Sequence, residues 1–197
     1  VARKHAIRQI GFRFNSFIAL ALVERLCGAE GLLLISVLIG FCVPMFNVGA
    51  VWPMARHGDS GFGREIVRNP LILATTSGLA FNLSGFAIPA ILDPSLSKIG
   101  AASLALGLLS AGAGMEVKAL NQGKLLGSLV LTLKHLFLPC IAWSLAQIFK
   151  LNELQTTVLL IFSALPTAST CYVLAARMGY NGSLVAGLVT LSTLLGI

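Results

Sequence analysis

Residues 162–182 read FSALPTASTCYVLAARMGYNG, a stretch that is apolar enough to lie in a membrane and is interrupted by Pro166. Because proline has no amide proton and its ring clashes with the preceding turn, a helix here should kink or stop. Within hydrocarbon, a broken helix is tolerated only where protein or a water-filled cavity covers its freed backbone groups. The hydroxyls of Thr167, Ser169 and Thr170 lie beside the break. The stretch therefore predicts either a proline kink patched by these hydroxyls or a discontinuous helix at a binding site.

An earlier stretch of the chain matches this one. Residues 15–31, NSFIALALVERLCGAEG, align without a gap on residues 166–182, which places Asn15 on Pro166 and superimposes two glycines. A long apolar run follows each stretch. Interrupted segments at corresponding positions of two repeats point to the binding site of secondary transporters. The alignment predicts an internal repeat whose two interruptions lie at Asn15 and Pro166.

The composition is that of a membrane protein. Of the 197 residues, 56% are hydrophobic and only 11% are charged, and the mean hydropathy is +0.89. A soluble domain contains roughly 25% charged residues. We therefore predict an all-α polytopic membrane protein that lies in a lipid bilayer.

The sequence predicts seven membrane segments, which cover residues 14–23, 31–55, 70–89, 96–115, 126–149, 154–176 and 183–197. The first is too short to cross a hydrocarbon core about 30 Å thick, which needs roughly 20 residues. A turn containing Glu24, Arg25 and Glu30 should follow it. Asn47 and Asn82 are polar residues inside the second and third segments. A helix–helix hydrogen bond explains Asn47 more simply than contact with a ligand.

The net charge of +7 does not indicate binding to nucleic acid, because the basic residues lie between apolar runs. With segments that alternate in direction, eleven of the fourteen Lys and Arg residues, including Arg13 in the N-terminal tail, fall on one side. Cytoplasmic loops carry an excess of Lys and Arg. We therefore expect loops 56–69, 116–125 and 177–181 to be cytoplasmic.

Two ionisable residues, Lys134 and His135, fall inside the fifth segment. An ionisable residue within a span is a candidate functional group. Lysine near the end of a span can also extend its amine to the interface, and this is the interpretation that the sequence favours for Lys134. His135 is interpreted as a neutral packed histidine.

The sequence shows no motif for catalysis or metal binding. The four cysteines lie in or beside apolar segments without CxxC spacing, so they are interpreted as small buried hydrophobic residues. GxSxG and HExxH are both absent from the sequence. We predict no catalytic residue, no metal ligand and no cofactor.

Four pieces of the sequence resemble the auxin efflux carrier family of permeases, of the bacterial type, within the bile/arsenite/riboflavin transporter-like superfamily. The pieces are RFNSFIALAL with GAEG, RNPLILATTSGLAFNLSG, SLALGLLSAGAGM and SALPTASTCYVLAARMGYN. The resemblance covers nearly the whole chain, and its most specific parts are the Asn-Pro start of the second piece and the last piece.

The resemblance implies a ten-span fold made of two inverted five-span repeats, with crossed discontinuous fourth and ninth helices. Residues 1–55 would be the end of the first repeat, spans 4 and 5. Residues 56–69 would be the cytoplasmic loop, and residues 70–197 the second repeat, spans 6 to 10 with the last one truncated. By this resemblance the chain is a fragment that lacks the first three spans.

The discontinuous helices would then lie around Asn15 and Pro166. Near Asn15, however, Phe17, Leu20 and Leu22 stand where the family carries glycines and a proline. The sequence therefore leaves open whether the helix at Asn15 is broken.

The predicted function is a secondary transporter, or permease, that moves an organic anion or weak carboxylic acid by alternating access. Two crossed breaks would direct helix N-termini, each with roughly half a positive charge, and free amides at a carboxylate. A proton or Na⁺ is the candidate coupling ion, and a homodimer is the candidate assembly. The predicted substrate-binding residues are Asn15, Pro166, Thr167, Ser169 and Thr170, with Asn82 and Asn47 as weaker candidates.

Three other functions stay open at the level of sequence. An ion channel would need a continuous lined pore, and a membrane receptor that transports nothing would leave the broken helix unexplained. An intramembrane hydrolase could draw on a hydroxyl between residues 167 and 170, with Lys134 or His135 as its base.

Overall fold

A computed structural model describes residues 9–55, 70–113, 115, 124–177 and 182–196. The described residues form helices joined by turns and short non-helical segments, and they contain no strand. The predicted loop 56–69 and nearly all of the predicted loops 116–125 and 177–181 lie outside the described residues.

The helices follow the apolar segments of the sequence. A helical turn at residues 9–12 comes first. In chain order the helices are α1 (Ser16–Ala55), α2 (Pro70–Leu83), α3 (Asp93–Ala113), α4 (Lys124–Thr132), a π-helical turn (Leu133–Phe137), α5 (Leu138–Ile148), α6 (Glu153–Ala164), α7 (Thr170–Arg177) and α8 (Gly182–Leu195).

Several of these helices can cross a membrane. Among the described residues, three helical stretches are long and apolar enough: Gln9–Ala50, Asp93–Ala113 and Gly127–Ile148. Two further apolar helices, α6 and α8, are shorter. Large apolar side chains such as Leu33, Leu106 and Trp143 are exposed, which suits a surface in contact with lipid. The chain is an all-α polytopic membrane protein, as its composition predicts.

The turn predicted between Glu24 and Glu30 is confirmed and lies at Gly28. Helix α1 consists of two helical parts joined at this residue, whose φ of 63° and ψ of −158° are not helical. Glycine adopts such a conformation without the steric cost that a Cβ would add. The chain folds back at the turn, since the ring of Phe14 lies 5.9 Å from the ring of Phe46.

Helix α2 is shorter than the predicted segment 70–89. It ends at Leu83, after 14 residues, which at 1.5 Å per residue is about 21 Å. Gly85 follows with a φ of 72°, and its amide donates to the Asn82 carbonyl at 3.1 Å. A glycine with positive φ just after the last turn is a common helix terminator.

The π-helical turn ends at Phe137, two residues before Pro139. At its end, the amide of Leu138 donates to the carbonyl of Leu133, five residues earlier. Proline cannot donate to the carbonyl four residues before it and clashes with that carbonyl. A π-helical turn is one way in which a helix accommodates such a site, and π-helical turns are frequent at functional sites.

Two apolar clusters lie on either side of the non-helical segments. The first is formed mainly by α7 and α8, and the second mainly by α1 and α6. Ile10 belongs to the first cluster, whereas Phe14, four residues later, belongs to the second. Leu165 belongs to the second cluster and Ala168 to the first. The chain therefore passes from one cluster to the other at residues 13–15 and again at residues 165–169.

Candidate functional site

Two non-helical segments meet in the structure, and we call them the first break (residues 13–15) and the second break (residues 165–169). The amide of Asn15 donates to the carbonyl of Pro166 at 2.9 Å. The Gln9 side chain also joins the two broken helices, since its Nε2 donates to the Cys171 carbonyl at 3.1 Å. The break predicted at Pro166 is confirmed, and the question left open at Asn15 is resolved in favour of a break.

Asn15 caps the helix that follows it. Its side-chain oxygen Oδ1 accepts from the amides of Phe17 at 3.1 Å and Ile18 at 3.3 Å. This is the usual role of asparagine at a helix N-terminus, where the first amides have no partner within the helix. These two amides are already bonded to the Asn15 side chain. The start of α1 therefore has fewer free amides for a ligand than the sequence suggested.

Thr167 ties the second break to its neighbours. It is fully buried, and its amide donates to the Ser192 hydroxyl at 2.9 Å. Its own hydroxyl donates to the Ile10 carbonyl at 3.0 Å and lies 3.0 Å from Ser192 Oγ. His135 Nε2 lies 2.9 Å from the same Ser192 oxygen. Thr167 therefore holds three elements together instead of facing the cavity described next.

A cavity of about 240 Å³ opens where the two breaks meet. Four of the seven predicted site residues line it: Asn15, Asn47, Ser169 and Thr170. Its other walls are mostly apolar, and the full lining consists of Arg13, Phe14, Asn15, Ser16, Phe17, Ile39, Val43, Phe46, Asn47, Thr75, Ala168, Ser169 and Thr170.

The remaining predicted residues lie elsewhere. Pro166 is buried and contributes its carbonyl to the crossing, and Thr167 is buried beside Ser192. Asn82 is exposed in the last turn of α2 and does not line the cavity. The position of Asn82 inside a predicted span was weak evidence for a binding site. Helix α2 ends beside this residue, so Asn82 is not buried within a span.

The N-terminus of α7 is open at the cavity. Within the described part of the chain, the amides of Ser169 and Thr170 make no hydrogen bond. Both residues line the cavity, and both are only half-buried. Free amides at a helix N-terminus carry partial positive charge and favour an anion.

Arg13 is the site residue that the sequence missed. Its side chain is 6% exposed and lines the cavity. The guanidinium donates to Gln9 Oε1 at 3.2 Å, to Asn47 Oδ1 at 2.8 Å and to Thr170 Oγ1 at 2.9 Å. All three acceptors are neutral. Assigning Arg13 to a basic cytoplasmic tail was wrong, because the first break turns its side chain inward.

Lys134 is a second buried cation beside the first. It is 3% exposed, and its amine donates to the Arg13 carbonyl at 2.8 Å. That carbonyl lies where the helical turn at residues 9–12 has ended, so no residue of the same helix can bond it. The prediction that Lys134 extends to the interface is therefore wrong, since the freed carbonyl holds its amine inside the protein.

The two cations have no carboxylate partner among the described residues. The described acidic residues are Glu24, Glu30, Asp93 and Glu153, and all four are exposed. A buried charge is costly unless it is paired. The crossing of the two breaks is therefore a positively charged site beside an accessible cavity.

The comparisons with known proteins agree with this architecture. A sequence model of the family described as "Membrane transport protein" matches residues 54–197. An uncharacterized transporter of Methanocaldococcus jannaschii is 23% identical over 138 residues, which cover 68% of this chain and 45% of that protein. The chain thus spans about half the length of this relative. No solved structure matches the chain.

Proposed function

The chain belongs to the membrane transport protein family, and we propose that it is part of a secondary transporter that moves an organic anion or weak carboxylic acid by alternating access. Family membership supports membrane transport as the activity of the whole protein. One observation supports the choice of an anion: the buried guanidinium of Arg13 borders a cavity, and its hydrogen bonds to described residues go to neutral acceptors.

Arg13 is the group that would bind the carboxylate. A guanidinium has five N–H donors, and three hydrogen bonds to neighbouring side chains leave part of this capacity for a ligand. Hydrogen bonds between arginine and carboxylate are charge-assisted and often bidentate. The open amides of Ser169 and Thr170 would supply further donors from the other side of the crossing.

The charge of the site favours an anion over other ligands. Arg13 and Lys134 are both buried, and the described carboxylates are exposed. A bound anion would neutralise part of this charge and so reduce the cost of keeping it inside the membrane. The walls formed by Phe14, Ile39 and Phe46 suit the apolar part of an organic acid.

The two apolar clusters support alternating access as the mechanism. Each break carries the chain from one cluster to the other, so a rigid movement of one cluster against the other would pivot at the crossing. We assign residues 1–55 and 70–197 to two inverted repeats and the loops 56–69, 116–125 and 177–181 to the cytoplasm of a bacterial inner membrane. In transporters with inverted repeats, the substrate site lies between the repeats.

The structure does not favour the hydrolase that the sequence left open. The hydroxyl that contacts His135 is that of Ser192, which is fully buried and accepts from the Thr167 amide. The amine of Lys134 is bonded to the Arg13 carbonyl. Neither candidate base contacts Ser169, the hydroxyl that lines the cavity.

The proposal can be tested with the full-length protein in proteoliposomes. We expect saturable counterflow of radiolabelled benzoate, chosen because it combines one carboxylate with a small apolar ring. Arg13→Gln should weaken benzoate binding by about 100-fold, because removing one partner of a buried charge pair costs about 2–5 kcal/mol. Arg25→Gln, which removes an exposed arginine from α1, is the matched control and should bind as the wild type does.

Two results would contradict the proposal. Equal benzoate binding by Arg13→Gln and Arg25→Gln would show that the carboxylate does not bind at the crossing. A flux that rises linearly with concentration and shows no counterflow would indicate a channel.

A further inference from the structure

Helix α3 contributes no lining residue to the cavity, but it packs against one that α1 contributes. Phe17, in the first turn of α1, lines the cavity. Its ring also lies against Gly107 of α3, where an added Cβ would come within 2.5 Å of the ring atoms. Side-chain carbon atoms do not approach so closely, so the ring can occupy its position only because residue 107 has no side chain.

The same helix contains glycines that play no such role. A Cβ added at Gly100 would meet nothing within 4 Å, and the same holds for Gly112. The close approach at Gly107 is therefore a local feature of its contact with Phe17.

We propose that Phe17 is a specificity-determining residue, and that Gly107 fixes how far its ring is withdrawn from the cavity. This inference rests on the proposed function, because it concerns the apolar part of the carboxylate that Arg13 binds. It narrows the substrate class to carboxylates whose apolar part is no larger than a single ring.

The size of the cavity supports this limit. An enclosed apolar cavity of about 150 Å³ holds benzene, and the cavity here, which is open on one side, is about 240 Å³ with Arg13 at its edge. It has room for one ring with its carboxylate. A two-ring acid would have to displace Phe17, and the neighbouring α3 backbone at Gly107 prevents the ring from withdrawing further.

The experiment measures transport of acetate, benzoate and naphthoate by the full-length protein in proteoliposomes. The wild type should prefer benzoate to naphthoate. Phe17→Ala should shift the naphthoate-to-benzoate ratio of kcat/KM upward by about tenfold, within the range that a change of one group in an apolar pocket produces.

Gly107→Ala should have the opposite effect, because the new methyl group pushes the Phe17 ring into the cavity. We expect benzoate kcat/KM to fall by about tenfold while that of acetate, which is too small to reach this wall, is unchanged. Gly100→Ala is the matched control on the same helix and should change neither. The double variant Phe17→Ala with Gly107→Ala should regain benzoate transport, since the smaller residue 17 leaves room for the methyl group.

The outcomes separate this inference from the proposed function. If the wild type transports none of the three acids, the proposed function fails and the inference falls with it. If it transports them and Phe17→Ala leaves the ratio unchanged, only the inference is overturned. Equal loss of acetate and benzoate transport in Gly107→Ala, or naphthoate transport by the wild type at the benzoate rate, would also overturn it. Should Gly107→Ala fail to fold, the Phe17→Ala ratio decides alone.

Discussion

The two breaks that cross in this protein are made from different residues. The second contains Pro166, which removes an amide and obstructs the preceding turn. The first contains no proline, and its freed groups are bonded by Asn15, which caps α1, and by Lys134, which bonds the Arg13 carbonyl. The comparison shows that a helix can stay interrupted inside a membrane with or without a proline. What it requires is side chains that bond the freed backbone groups.

The two breaks also contribute different chemistry to the cavity. The first brings the positive charge of Arg13, and the second brings the open amides and hydroxyls of Ser169 and Thr170. The two sets of side chains are connected by the hydrogen bond from the Arg13 guanidinium to Thr170 Oγ1. Variants that affect one break but not the other can therefore test this division.

The largest expected effect on stability is at Thr167, which bonds the second break to the helical turn at residues 9–12 and to α8. Thr167→Val keeps the shape of the side chain but removes the hydroxyl that bonds the Ile10 carbonyl and contacts Ser192. Because this leaves a buried carbonyl without its partner, we expect the free energy of unfolding to fall by about 1–3 kcal/mol. Unfolding in denaturant with the protein in detergent measures it.

A second threonine provides the control for that measurement. Thr157 bonds the Glu153 carbonyl of its own helix, away from both breaks. Thr157→Val should leave the free energy of unfolding within about 0.5 kcal/mol of the wild type. If the two valine variants are equally stable, the hydrogen bonds of the Thr167 hydroxyl do not stabilise the second break.

A smaller effect, on affinity, is expected at the first break. Asn15→Asp should preserve the cap, because aspartate caps helices as well as asparagine does, but it places a carboxylate in the cavity that Arg13 lines. The new charge competes with the substrate, so we expect benzoate affinity to fall by about tenfold with little change in melting temperature. Titration calorimetry measures the affinity.

Asn15→Ser tests whether a loss of affinity comes from the added charge or from the change of the capping residue. Serine is also a good cap but carries no charge, so benzoate affinity should stay within about twofold of the wild type. If the serine variant loses as much affinity as the aspartate variant, the amide of Asn15 itself contacts the substrate, and the argument from charge fails.

The smallest effect is expected at the proline. Because the first break exists without a proline, Pro166→Ala should leave the second break open, held by Asn15 and by the contacts of Thr167. A cysteine introduced at Ser169 should then react with a hydrophilic maleimide at a similar rate in both backgrounds. Protection of this cysteine in Pro166→Ala would show instead that the proline alone interrupts the helix.

The sequence by itself determined the membrane fold and the position of one break. Low charge and long apolar runs are properties of composition, so they required no knowledge of contacts. The break at Pro166 follows from a covalent feature of one residue, the missing amide. The break at Asn15 was indicated only indirectly, by its alignment with Pro166 and by the family resemblance, because none of its own residues forbids a helix.

The tertiary structure alone decided where the charges lie. In the sequence Arg13 follows Arg3, Lys4 and Arg8 and so resembles the end of a basic tail, while Lys134 lies within reach of a basic loop. Their burial depends on partners distant in the chain, since Arg13 bonds Asn47 and Thr170, and Lys134 bonds the Arg13 carbonyl. The energy of a buried cation is set by these neighbours, and the local pattern of residues contains no information about them.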